Sequence, residues 1–405
     1  MKKLTLLLLI VPLVIGCNNQ PDVPKNAETL NLRAELQKKV AQDNEFAFDL
    51  LGKTINISKE SNVFISPLSV SIALGMVWNG ANGETKSELE TTLKMSGMTM
   101  ADINEYYRIM QSTLPKLDPA TKMMIANSLW YRTGFPVKAE FLKVNSDNFN
   151  TYIKELDFSQ SWAVDTINNW CAKKTNNLIE KPLDYIPSEA VMYLVNAIYF
   201  KGIWQKKFDP RKTAEANFTN EDGSTGKVNM MSIQDTLWYC EDDQAQYLDM
   251  PYGNGAFSMT VILPKEGKTT SDVLADLSVA KWQGNLEKLK KQEVLVFLPR
   301  FSAKNKYLLN NELQAMGMKL AFGGSADFSS IADDDLLISR VIHNTYIEVT
   351  EEGTEAAAVT VVEVANTSLP TYPMFYANKP FLFVIREKST GIILFAGKMG
   401  NVEKY

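Results

Sequence analysis

The sequence predicts an α+β fold in one large domain. Three observations carry this. Helix-period segments concentrate in the first half of the chain, strand-like apolar runs dominate the second half, and no shift in composition marks a boundary after residue 30. The 405 residues are 45% hydrophobic and 22% charged, enough apolar mass for a substantial core and too little charge for a disordered chain.

Taken in order, the chain opens with Lys2 and Lys3 and an apolar run over residues 4–15. That run is too short for a permanent bilayer helix and reads as a signal peptide over residues 1–16. Val14-Ile15-Gly16-Cys17 resembles a bacterial lipobox, in which the Cys17 sulfur would carry diacylglycerol and anchor the protein. The alternative is a signal peptide that merely contains a Cys. Residues 17–30 are polar, hold two Pro and read as a tether, leaving residues 31–405 as the folded domain. A helix is expected over residues 30–58. A second opens at Ser66-Pro67, where Ser caps and Pro suits the first turn, and ends at Asn79-Gly80. Residues 163–177 give another.

Residues 191–200 form a near-continuous apolar run, as a central strand buried on both faces should. Residues 257–263, 293–298, 346–350, 381–386 and 392–396 also read as strands.

Composition excludes several functions. A net charge of −5 argues against a nucleic-acid binder. Three Cys cannot make a disulfide framework or a four-thiolate zinc site, and Cys171 and Cys240 are expected to be buried free thiols. The single His, His343, leaves no two-His metal site and no room for a triad around an exposed loop. A hydrolase and a bound cofactor are therefore not expected.

One segment conflicts with its surroundings. After Glu351-Glu352-Gly353, residues 354–358 are small apart from Glu355, residues 359–364 favour strand, and Asn366-Thr367-Ser368-Leu369-Pro370 reads as exposed loop. Side chains of a strand alternate between faces. Glu355 and Glu363 share one parity; Thr354, Ala356, Ala358, Thr360, Val362 and Val364 share the other, which is uncharged and begins small. Such a segment is either an ordinary edge strand with a loop, or a loop fit to slide into a sheet later.

At this point the sequence resembles the serpin family. Glu351-Glu352-Gly353-Thr354-Glu355-Ala356-Ala357-Ala358 is similar to the hinge of its inhibitory members. Asn62-Val63-Phe64-Ile65-Ser66-Pro67-Leu68-Ser69, Asn196-Ala197-Ile198-Tyr199-Phe200-Lys201-Gly202-Ile203-Trp204, Leu298-Pro299-Arg300-Phe301, Ala326-Asp327-Phe328-Ser329, Asn378-Lys379-Pro380-Phe381-Leu382-Phe383 and Leu394-Phe395-Ala396-Gly397-Lys398 resemble its other blocks in order. The resemblance implies three β-sheets with eight or nine α-helices and an exposed reactive loop over residues 351–373. It also implies a suicide-substrate mechanism. A target protease acylates itself on the loop, the cut loop inserts into the large sheet as a new strand, and the enzyme is trapped as a covalent 1:1 complex with a monomeric inhibitor.

The resemblance also implies residue roles. The hinge is Gly353, Thr354, Glu355, Ala356, Ala357 and Ala358. Ser66, Ser69, Asn196 and His343 form a shutter beneath the large sheet, with His343 a hydrogen-bonded core residue. Trp204, Arg300 and Glu351 form the breach where insertion starts, Arg300 and Glu351 as an ion pair, unless Glu351 is a solvated surface charge. Counted from Gly353, the reactive bond is Thr367–Ser368, with Asn366 and Ala365 as neighbouring candidates. A count back from Asn378 points two residues later, to a bond with Pro370 that proteases cut poorly. No Lys or Arg occurs from Val341 to Asn378, so elastase-like or subtilisin-like serine proteases, and by extension cysteine proteases, are expected over trypsin-like ones. A non-inhibitory ligand carrier or chaperone is the alternative. The small, Pro-free hinge argues against it. The lipobox places the protein in a bacterial cell envelope, membrane-anchored through Cys17.

Overall fold

A computed structural model describes residues 27–354 and 372–404. The expected signal peptide, Cys17, the expected hinge residues Glu355, Ala356, Ala357 and Ala358, and the expected Thr367–Ser368 reactive bond lie outside the described residues.

The first helix, α1 (Ala34–Ser58), buries Leu36, Val40, Phe46, Leu50 and Leu51 along one stripe and ends at Lys59 in the left-handed conformation. It starts later than the expected residue 30. Leu30 and Leu32 pack into the core ahead of the helix, and the Leu30 amide donates to Ser389 Oγ at 2.8 Å. Helix α2 (Pro67–Trp78) is capped as read: Ser66 Oγ accepts from the Ser69 amide and Pro67 sits in the first turn. Around these lie α3 (Gly83–Thr92), α4 (Met100–Thr113), α5 (Ala139–Phe149) and α6 (Trp162–Lys174). Helix α6 stops short of residue 177 because Asn176 and Asn177 both take positive φ. Helices α7 (Thr270–Asp276), α8 (Val279–Lys288) and α9 (Asn310–Ala315) complete nine among the described residues.

The strands, numbered in chain order, form three sheets. The largest runs β1 (Asn62–Ile65), β15 (Ile393–Met399), β14 (Phe381–Glu387), β8 (Phe257–Pro264), β7 (Ala245–Pro251), β6 (Thr225–Glu241), β9 (Lys290–Pro299) and β13 (Met374–Tyr376), with β5 (Ala214–Thr219) on β6. Strands β8, β14 and β15 are buried along their whole length. A second sheet has the order β3 (Thr151–Leu156), β2 (Lys122–Arg132), β4 (Met192–Lys201). The third is β10 (Phe301–Leu308), β11 (Ile342–Thr350), β12 (Gly353–Thr354). Aromatic contacts join the layers: Phe200 of β4 packs edge-on against Phe257 and Phe395 of the large sheet.

Strand β4 departs from the sequence reading. Only Ala197 to Phe200 are buried, while its first five residues are half-buried. The reason is position. Among the described residues, β4 ladders with β2 on one side only and so lies at the edge of a three-stranded sheet, not at its centre.

Candidate functional site

The two three-stranded sheets face each other across β4 and β11, and no strand ladder joins those two strands. The short β12 sits between them at one end. It pairs antiparallel with β11, Thr350 opposite Gly353 and Val349 opposite Thr354. On its other side Gly353 makes an antiparallel bridge with Ile203, just beyond β4. A strand antiparallel to both walls requires the walls to be parallel to each other. Strands β4 and β11 therefore flank a slot one strand wide, and among the described residues no strand continues β12 past Thr354. A small cavity lies along it, lined by Ile198 and Phe200 of β4 and Thr345 of β11, with Phe395 behind and Leu178 and Ile179 following α6.

The closed end of the slot holds Trp204, Arg300 and Glu351 together. Arg300 Nε donates to both Glu351 carboxylate oxygens, at 2.9 and 2.8 Å, and Nη2 reaches Oε1 at 2.7 Å. Thr213 Oγ1 also donates to that carboxylate. Both charged side chains are buried, at 8% and 3% exposure, so Glu351 is not a solvated surface charge. The Trp204 indole N–H donates to the Thr350 carbonyl at 2.9 Å, and its ring stacks on Tyr252 with centroids 4.4 Å apart. Gly353 adopts φ +148°, and a Cβ there would lie 2.0 Å from the Gly202 carbonyl oxygen. Only glycine fits where two backbones approach this closely. Thr354 is buried; its amide donates to the Gly202 carbonyl at 2.8 Å, and its hydroxyl meets the Tyr252 hydroxyl at 2.7 Å.

Farther down, Ser66, Ser69, Asn196 and His343 also come together. The Ser66 amide donates to His343 Nε2 at 2.9 Å. Ser66 thus supplies the partner through its backbone N–H and not through its hydroxyl. The physical reason is that the Ser66 hydroxyl is committed elsewhere, donating to the Leu394 carbonyl at 2.7 Å while capping α2. Because Nε2 accepts, the ring is the neutral tautomer protonated on Nδ1. Burial lowers the His343 pKa to about 4, which keeps it neutral. A second chain runs beside it. Ser69 Oγ donates to Asn196 Oδ1, and Asn196 Nδ2 donates to Asn127 Oδ1 at 2.5 Å.

Thr213, Gly202, Asn127 and Tyr252 were not legible as site residues. Tyr252 stands in Pro251-Tyr252-Gly253-Asn254-Gly255, which reads only as a turn. Cys171 and Cys240 are free and buried, as expected, and burial pushes their thiols up to about 12 and about 11. Among the described residues, no group of three or more His, Cys, Asp or Glu is placed to hold a metal ion, and no helix is long and apolar enough to cross a membrane.

Beyond residue 371, β13 runs parallel to β9, and the Pro373 carbonyl accepts from the Leu295 amide at 3.0 Å. Residues 355–371 therefore join an anchored strand in the slot to an anchored strand on the edge of the nine-stranded sheet.

The sequence profile described as "Serpin (serine protease inhibitor)" matches residues 41–402. Iripin-1 of Ixodes ricinus is 35% identical over 396 residues, covering 95% of this chain and all of that protein. Human neuroserpin is 32% identical over 360 residues, covering 85% and 87%. Among solved structures, the thermophilic serpin tengpin in its native state superposes with a TM-score of 0.83 at 31% identity, over 93% of this chain and all of the other. Tengpin in its latent state gives 0.80 at 30% identity, over 92% and 99%. A thyroxine-binding globulin complex with thyroxine gives 0.81 at 30% identity, over 90% and 100%.

Proposed function

Because the chain belongs to the serpin family, whose description is serine protease inhibition and not catalysis, we propose that it is a suicide-substrate inhibitor of serine endopeptidases. One observation carries the reading: a slot one strand wide whose first two positions are already filled by Gly353 and Thr354.

The register of that short strand supports insertion of the residues beyond Thr354. Continued without a shift, Ala356 would fall opposite Ile347 and Phe200, Ala358 opposite Thr345 and Ile198, and Thr360 opposite His343 and Asn196. Ile347, Thr345 and His343 are the buried parity of β11. The uncharged parity of the loop would thus meet the core. Glu355 would fall on the other parity, opposite Glu348 and Lys201, both only partly buried. Each ladder hydrogen bond gained contributes about 0.5–1.5 kcal/mol net, and an inserted strand forms ladders on both edges.

The chemistry is ordinary acyl transfer until insertion intervenes. The protease serine Oγ attacks the Thr367 carbonyl, the Thr367–Ser368 bond breaks, and the new Ser368 amine leaves with a proton. The ester between protease and Thr367 is then carried along as the strand zips into the slot, before water cuts it. The residues before the bond are small and uncharged, which suits elastase-like and subtilisin-like pockets, and cysteine proteases by the same logic. The lipobox-like Cys17 supports a membrane-anchored lipoprotein of a bacterial envelope, acting as a monomer against proteases that reach it.

The test mixes residues 18–405 with a pancreatic-type elastase. A band resistant to denaturation, near the summed masses, together with a released peptide starting at Ser368, is the expected result. Cleavage that leaves the protease active, repeated with subtilisin and papain-like enzymes, would overturn the inhibitory reading and favour a ligand carrier.

A further inference from the structure

We infer that Tyr252 is a positioning residue for loop insertion: its hydroxyl docks Thr354 in the slot before any bond is cut. The first rung of the new strand then already exists in the resting protein.

The ring is held from two sides. It lies flat on Trp204, 4.4 Å between centroids and 10° between planes, and Phe200 packs against it at 5.2 Å. Gly202 lets it approach the strand, since a Cβ there would come within 2.5 Å of a Tyr252 ring carbon. A ring held this way presents its hydroxyl in one direction, and Thr354 Oγ1 is 2.7 Å away in that direction. Burial pushes the phenol pKa far up, so the hydroxyl is always present as a neutral donor and acceptor. Both hydroxyls are buried, so each depends on the other for a hydrogen bond.

The position of this bond sets it apart from other buried pairs. Thr354 is the last described residue before the reactive segment, and it touches both walls: Val349 across the β11 ladder and Gly202 beyond β4. Starting a strand between two walls means bringing a free chain end to both of them, an entropic cost met before any ladder bond repays it. A docked Thr354 removes that step. Insertion that extends β12 in its present register would keep this bond, so it would leave the net driving force of insertion unchanged and act on timing. Timing matters because insertion competes with hydrolysis of the acyl-enzyme. This consequence rests on the inhibitory reading; the docking itself does not.

The experiment has one arm without protease and one with it. In the first, hydrogen exchange is followed by mass spectrometry on a peptide spanning the Thr354 amide, in residues 18–405. Tyr252→Phe keeps the stacked ring and strands the Thr354 hydroxyl; Thr354→Val strands the Tyr252 hydroxyl. Each is expected to speed exchange about tenfold or more. The double variant, with both partners apolar, is expected to return toward the unaltered rate, which a general loss of folding would not do. In the second arm, each single variant should consume more inhibitor per protease trapped. Unchanged exchange in Tyr252→Phe overturns the docking, and faster exchange with unchanged consumption overturns its role in insertion. If the unaltered chain traps no protease, the inhibitory reading fails while the first arm still decides the docking. The role in insertion is then read from how fast the cleaved chain gains heat resistance, which Tyr252→Phe should slow and which overturns the role if unchanged.

Discussion

Glu351 and His343 are buried polar groups of opposite kinds. The Glu351 carboxylate is matched in the interior by Arg300, whose Nε donates to both of its oxygens, and by Thr213, which adds a further donor. Pairs of this sort seldom stabilise a fold more than an apolar pair would, but removing one member is costly. Glu351→Gln is expected to lower native stability by up to about 3–5 kcal/mol, read as a fall in the urea midpoint. His343 instead stays neutral, with a pKa of about 4 against 6.5. Proton counting gives the sign. Between those values the unfolded chain binds a proton that the folded chain does not, so stability falls as pH drops from 6.5 toward 4 and the loss levels off below that. Between pH 7.5 and 4.5 the loss from this residue is on the order of 2–3 kcal/mol. His343→Gln, even if less stable overall, should show a correspondingly flatter pH dependence, and an equal slope in both proteins would remove His343 as its source.

At the scale of elements, the slot makes a prediction that alternates residue by residue. Ala356 would face the core on insertion and Ala357 would face outward, by the register of Gly353 and Thr354 on β11. A Glu at position 356 would have to lose its hydration in the interior, at a cost of several kcal/mol, whereas one at 357 would not. Ala356→Glu is therefore expected to turn the inhibitor into a substrate, while Ala357→Glu keeps most of its trapping. Thr354→Arg should behave like Ala356→Glu. Retained covalent complex in Thr354→Arg or Ala356→Glu would mean that the strand enters in another register or not at all. Half of this was legible in the sequence, because a strand's period of two needs only consecutive residues. The other half was not, since the identity of the walls depends on β4 and β11, separated by well over a hundred residues. The mistaken reading of residues 191–200 has the same origin. An apolar run shows that a strand will be covered, not that one of its edges is left open for another strand.

At the scale of the molecule, insertion would turn two three-stranded sheets into one continuous sheet with the loop at its centre. The cleaved chain is then expected to unfold at a higher temperature than the intact one, measured by calorimetry after proteolysis at the loop. An unchanged midpoint would mean that the cut loop stays outside. The proposed anchor is tested separately. In a bacterial host the full chain should fractionate with membranes, and Cys17→Ser should release it; membrane association of Cys17→Ser would point to the apolar segment of residues 4–15 and not to lipid.

The sequence by itself determined what rests on neighbouring residues. It showed the lipobox-like start, the cap of α2, the small residues after Gly353, the uncharged parity of the segment that follows and the absence of Lys and Arg around Thr367–Ser368. Its ordered blocks were enough to recognise the family, and with it the clustering of Ser66, Ser69, Asn196 and His343 and the pairing of Arg300 with Glu351. Only the tertiary structure decided that His343 accepts from a backbone amide, that Thr213 joins the ion pair, that β4 is an edge, and that Tyr252 meets Thr354. These depend on packing between distant segments. Hydrogen-bond partners and strand registers are chosen by whatever else lies within a few ångströms after folding, and local propensity carries no information about that.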